Sequence, residues 1–148
     1  MRHVVHLAKR FVLSMVPKQV QVIEQHWVAS VLTAHEFDLW NDLMLQDRRH
    51  SIMVARRYVA LRPMANNYEI AGALLHDVGK SVSRLGTLMR VVATIVGPRT
   101  TRLRLYHDHE TIGANMLRTI GSDSTTIAMV QGSCSPELKA LLAMSDDL

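Results

Sequence analysis

Cysteine is nearly absent from this chain, with one residue, Cys134, in 148. That scarcity excludes an internal disulfide and any cysteine cage for zinc. With no secretory leader visible, a reducing, cytoplasmic setting is the expectation. Proline is scarce as well: Pro17, Pro63, Pro98 and Pro136 are widely spaced and read as punctuation between helices. Aromatic residues make up 5% of the chain. No stacking series runs among the basic residues, which argues against a nucleic-acid binder. No apolar run approaches the roughly 20 residues that a bilayer span needs. The apolar stretch near the N-terminus is broken by His6, Lys9 and Arg10.

Carboxylates are missing from one long stretch. Between positions 78 and 107 there is no Asp or Glu, while Lys80, Arg84, Arg90, Arg99, Arg102 and Arg104 all fall there. The net charge of +4 understates this asymmetry. A block of one sign attracts anions, a phosphate above all.

What is present is a 48% apolar chain of one-domain length, enough to fill a single core. Apolar residues recur at three- and four-residue spacing with little strict alternation, so the fold class expected is all-α. Helices are expected over about 4–15, 20–32, 36–45 and 47–61, the last closed by Pro63. Asn66 or Asn67 caps a fifth, with Gly79 placed as its C-terminal cap. A sixth is expected over about 87–96 and a seventh over about 105–120. Asp123 caps the eighth, which stops before Gly132, and Ser135-Pro136-Glu137 opens the last. Residues 1–45 read as an N-terminal helical extension packed on a main domain of 46–148. Trp27, Trp40, Phe11 and Phe37 suit packing of those first helices. Four histidines, His3, His6, His26 and His35, receive no role, and no base stands near Cys134 to activate it.

The chemistry concentrates in Leu74-Leu75-His76-Asp77-Val78-Gly79-Lys80. An imidazole and a carboxylate stand side by side at the end of an apolar helix, where both can turn toward one point. Such nitrogen and oxygen donors suit a hard or borderline divalent metal.

Here the sequence resembles the HD-domain superfamily of metal-dependent phosphohydrolases, whose ordered signature is His, then His-Asp, then Asp. His76 and Asp77 match the doublet. His50, within Asp47-Arg48-Arg49-His50-Ser51, matches the first histidine, about one helical hairpin upstream. Asp146 matches the closing aspartate, with Asp147 as the alternative. The resemblance spans about position 47 to the end and implies an HD-type helical bundle. It implies His50, His76, Asp77 and Asp146 around a divalent ion such as Mn, Fe, Ni, Zn or Mg. A second element, Tyr106-His107-Asp108-His109-Glu110-Thr111-Ile112-Gly113-Ala114, is similar to the His-x-x-x-Gly-Ala segment of some HD proteins. In two-metal members that histidine supports the second ion, so His109, with His107 beside it, is the candidate for a second metal or for substrate.

The implied activity is hydrolysis of a nucleotide or another small phosphorylated molecule by metal-activated water. Asp77 then also orients the water, and Lys80, Arg49 and Arg84 are candidates to hold the phosphate. Two other functions remain open: a nucleotide-binding regulatory module without turnover, and oxidative chemistry at a paired-iron centre.

Overall fold

The computed structural model describes residues 19–83 and 108–147. Among these residues there are seven helices and one single helical turn, and no strand. In chain order they are α1 (Val22–Val31), α2 (Ala34–Asn41), α3 (Leu45–Leu61), α4 (Asn67–Leu75), the turn α5 (Lys80–Ser83), α6 (His109–Thr119), α7 (Ser124–Gln131) and α8 (Pro136–Asp146). The all-α class expected from spacing is therefore what forms. The helices expected over 4–15 and 87–96 lie outside the described residues, as do Arg84 and His107. None of the described helices is long and apolar enough to cross a membrane.

Local chemistry explains most of the boundaries. Thr33 and Glu36 form a capping box: the Thr33 hydroxyl accepts from the Glu36 amide at 3.3 Å, and the Glu36 carboxylate accepts from the Thr33 amide at 2.9 Å. This starts α2 two residues earlier than apolar spacing alone suggests, and it accounts for the buried Glu36. Arg62, held before Pro63, leaves the helical region with ψ 79° and so ends α3. Asn66 accepts from the Glu69 amide at 3.0 Å to cap α4. Asp123 accepts from Thr125 at 2.8 Å to cap α7, and Gly132 ends it with φ 76°. Ser135 caps α8, with Pro136 in its first turn.

Helix α4 is the axis of the core. Its Ala73, Leu74 and Leu75 are fully buried, and Gly72 lets Met129 of α7 close against its backbone. Around α4 pack α3 and α7, with α1 and α2 adding Val28, Leu32, Trp40 and Leu43 to the same buried cluster. Trp40 donates its indole N–H to Ser51 at 2.8 Å, so α2 is tied to α3 by a satisfied buried polar pair. Burying each large apolar side chain contributes roughly 1.5–3 kcal/mol.

One expectation is corrected. Gly79 is not the cap of α4, which stops at Leu75 with His76 as its C-cap residue. A Cβ at Gly79 would collide with the backbone carbonyl of His109, and one at Gly113 would meet the Gly79 amide at 3.1 Å. The two glycines therefore bring the start of α6 against the turn that follows α4.

Candidate metal centre

Three helix ends meet at one polar hollow. His50 comes from the second turn of α3, His76 and Asp77 from the turn that closes α4, and Asp146 from the last residue of α8. The antiparallel run of α3 against both α4 and α8 sets this meeting. The 62–66 connection is tight, so the C-terminal end of α4 returns to the N-terminal part of α3.

The donor atoms of His50, His76 and Asp77 all lie within 4.8 Å of one another. Asp146 Oδ1 is 2.7 Å from His50 Nε2 and 3.6 Å from His76 Nε2. His76 Nε2 is 3.4 Å from Asp77 Oδ2. Donors that share an ion at about 2.0–2.2 Å stand about 3–4 Å apart, so these residues are close enough to ligate one ion after small adjustments. Between the two candidates for the last acid, Asp146 is the residue that His50 touches.

The His76 ring is held at its other nitrogen, where Nδ1 lies 2.8 Å from the Ala73 carbonyl and donates to it. That bond turns Nε2 toward the carboxylates. Nε2 is buried and has no hydrogen-bond partner. A buried polar atom costs about 1–3 kcal/mol when left unpaired. His76 Nε2 instead faces the Asp77 and Asp146 carboxylates at 3.4 and 3.6 Å, ion-pair distances for the protonated ring and a position from which the neutral ring could ligate a cation.

Electrostatics point the same way. Burial by itself pushes the His76 imidazole down, but Asp77, Asp146 and the Ala73 carbonyl together hold it above its ordinary value. Burial likewise would raise the Asp77 carboxyl. His76, His109 and Lys80 outweigh it and hold that carboxyl well below the usual carboxylate range. His76, against the cost of burial and with His50 helping, lowers Asp146 to about 2. The hollow thus keeps two carboxylates ionised and gathers positive charge around them. The donor set carries two negative charges, which suits a divalent ion. Its inner side is enclosed, with His76 at 11% and Asp77 at 7% side-chain exposure. Its outer side is open, with His50 at 34% and Asp146 at 43%.

Two further expected residues join the hollow. Lys80 Nζ is 2.5 Å from Asp77 Oδ2, and His109 Nε2 is 3.4 Å from Asp77 Oδ1. The two oxygens of Asp77 therefore face different neighbours: His76 and Lys80 on one side, His109 on the other. Next to them lies a cavity of about 340 Å3 that also reaches Met129, Leu142 and Lys139. Its volume is at the small end of ligand-binding sites. Lys139, on α8, had no motif to mark it and is brought here only by tertiary packing.

Arg49 is placed elsewhere. It lines a separate groove with Ile52, Met53 and Arg56, and it is absent from the walls of the 340 Å3 cavity. Neighbouring helical residues point about 100° apart, so Arg49 and His50 serve different faces of α3.

No protein-family model, no curated protein and no solved structure matches this chain.

Proposed function

We propose that the chain is an HD-type, metal-dependent phosphohydrolase of small phosphorylated molecules, with nucleotides the leading class. The observation that carries this reading is the convergence of His50, His76, Asp77 and Asp146 from three helices, with the buried His76 Nε2 facing both carboxylates.

His50, His76, Asp77 and Asp146 are the residues that would hold the ion. When bound there, a divalent ion would supply water of lowered pKa, from about 15.7 toward 7, and charge to offset that of the phosphoryl oxygens. The Ala73 carbonyl keeps the His76 ring in the tautomer whose Nε2 lone pair faces inward. The two oxygens of Asp77 face different neighbours, Oδ2 toward His76 and Oδ1 toward His109, so one would help hold the ion while the other stays on the cavity side. Lys80 offsets the charge of Asp77 and lines the cavity, where its ammonium offers a point charge to a phosphoryl oxygen. Met129 and Leu142 supply an apolar wall for the rest of the substrate. Water and a phosphomonoester give an alcohol and inorganic phosphate, with the P–O ester bond broken and the water oxygen retained on phosphorus.

The test is elemental analysis of the purified protein together with a phosphate-release screen over nucleoside phosphates and sugar phosphates, repeated with His76→Ala. Bound metal and released phosphate, both lost in the variant, are expected. A metal-loaded protein inactive across the panel would overturn the hydrolase reading.

A second reading draws on the Lys80–Asp77 ion pair. An ammonium already seated on one ligand carboxylate supports a phosphate-binding regulatory module in which the protein's own cation substitutes for part of the metal's charge. That reading expects ligand-induced thermal stabilisation with no release of phosphate.

A further inference from the structure

The groove that contains Arg49 has a volume of about 460 Å3 and shares no lining residue with the metal cavity. Arg49, Ile52, Met53 and Arg56 follow the three- and four-residue spacing of one helix face, with Arg57 at its edge. Three guanidiniums therefore border a concave, partly apolar surface on which Glu24 is the one carboxylate among the lining residues. Two of the three are already posed. Arg56 donates to Glu24 at 3.1 Å and lies 3.5 Å over the face of Trp27, which fixes its plane. Arg57 donates to the backbone carbonyl of Ser145 at 3.3 Å. Ser145 is fully buried and directly precedes Asp146.

The groove thus has an excess of planar, bidentate donors, a partly apolar floor of Val20 and Ile52, and a volume suited to a small ligand. Among the described residues, the Arg57 bond to a neutral acceptor runs to the residue beside a proposed metal ligand. We propose that this groove is a second, regulatory site for the phosphate group of a small molecule, bound between Arg49, Arg56 and Arg57. An anion there competes with the Ser145 carbonyl for the Arg57 guanidinium and so loosens the end of α8 that carries Asp146. Arg57 is in this sense a positioning residue. The groove as an anion site stands by itself, while its effect on Asp146 rests on the metal-centre reading above. By linkage, an anion that weakens metal binding is itself bound less tightly by the metal-loaded protein.

The experiment uses the full chain and sulfate as the probe, titrated calorimetrically against chloride at matched ionic strength. In the His76→Ala protein, which lacks the metal centre, sulfate binding is expected to persist. Arg49→Gln should weaken it by about tenfold, the loss expected for a charge-assisted contact. In the otherwise unaltered protein, saturating sulfate should weaken Mn2+ binding several-fold. Arg57→Gln should do the same without sulfate, with the midpoint of thermal unfolding nearly unchanged. Absence of sulfate binding in His76→Ala, or binding indifferent to Arg49→Gln, overturns the site. Mn2+ affinity indifferent both to sulfate and to Arg57→Gln overturns the link to Asp146. A wild-type protein that takes up no metal sinks the metal-centre reading instead, and the sulfate titration still decides the groove.

Discussion

The same three helices meet twice, once at each end, and the two meetings differ in one respect. At one end Tyr58 and Arg62, from the last turn and cap of α3, converge on Glu69 of α4, and Arg62 also reaches Glu137 of α8. Glu69 accepts from the Tyr58 hydroxyl at 3.1 Å and from Arg62 Nε at 2.7 Å, and Arg62 donates to Glu137 at 3.1 Å. The donors and acceptors of that cluster answer each other. Burial and the Glu69 carboxylate push the Tyr58 hydroxyl up, which keeps it protonated as a donor. At the other end, about 14 Å away along α8 by helical rise, His50, His76, Asp77 and Asp146 converge, and the buried His76 Nε2 faces two carboxylates without a well-formed hydrogen bond. A polar cluster that closes on itself is a fastener. One that gathers two imidazoles and two carboxylates around a partly open hollow has the donors to take a cation.

The largest expected effect breaks the open cluster. His76→Ala should abolish stoichiometric metal uptake and cut phosphate release by more than the roughly 100-fold that loss of an outer-shell partner costs. Metal content and initial rates read this. Its metal-free folding stability should also fall at about pH 5, because the buried Asp77 carboxylate loses its His76 partner.

Next comes Gly79→Ala, which forces a methyl group into the His109 backbone. Overpacking of this kind costs about 1–3 kcal/mol. Denaturant unfolding should show it together with weaker metal binding, since the turn that carries His76 and Asp77 must shift. A variant that binds metal as wild type does would separate the glycine contact from the centre.

Glu69→Ala tests the closed cluster. It leaves the fully buried Tyr58 hydroxyl without its acceptor, which costs about 1–3 kcal/mol. It too should lower the unfolding midpoint, but unlike the first variant it should leave metal stoichiometry intact.

The smallest effect is on pH. Asp77 and Asp146 are held below their ordinary values, so their contribution to stability is full above about pH 4 and is lost as pH falls, for Asp146 through about 2. His76 is held above its ordinary value, so its contribution is full below about pH 6.5 and fades as pH rises through the folded value. The metal-free protein should therefore be most stable between about pH 4 and 6.5, measured by unfolding in chelator. Added metal should move that optimum upward, because the ion takes the place of the His76 proton.

Much of this was legible in the amino-acid order because it depends on near neighbours. Caps at Asn66, Asp123, Ser135 and Gly132 act over two to four residues, so side-chain type alone places them. The doublet stood out because an imidazole and a carboxylate close an otherwise apolar helix. Gly79 was misread because two causes leave the same letter: a left-handed cap and a close backbone approach both demand glycine. Only the position of α6 tells them apart. Arg49 was drawn toward the doublet by its closeness to His50, yet the helical turn between them sends it to another groove. Asp146 and Asp147 could not be separated until the pitch of α8 showed which faces His50. Lys139 and Arg57 carry no local signature, since each acquires its place through contacts across long stretches of chain.

His50 and Asp146 touch across 96 positions of sequence. A cation seated between them therefore cross-braces the whole bundle, and its grip can be felt only when the entire fold is assembled. Occupancy should then slow amide exchange in α3, α4 and α8 together and in proportion to free metal concentration. Availability of the ion would in this way govern the lifetime of the protein as well as its chemistry.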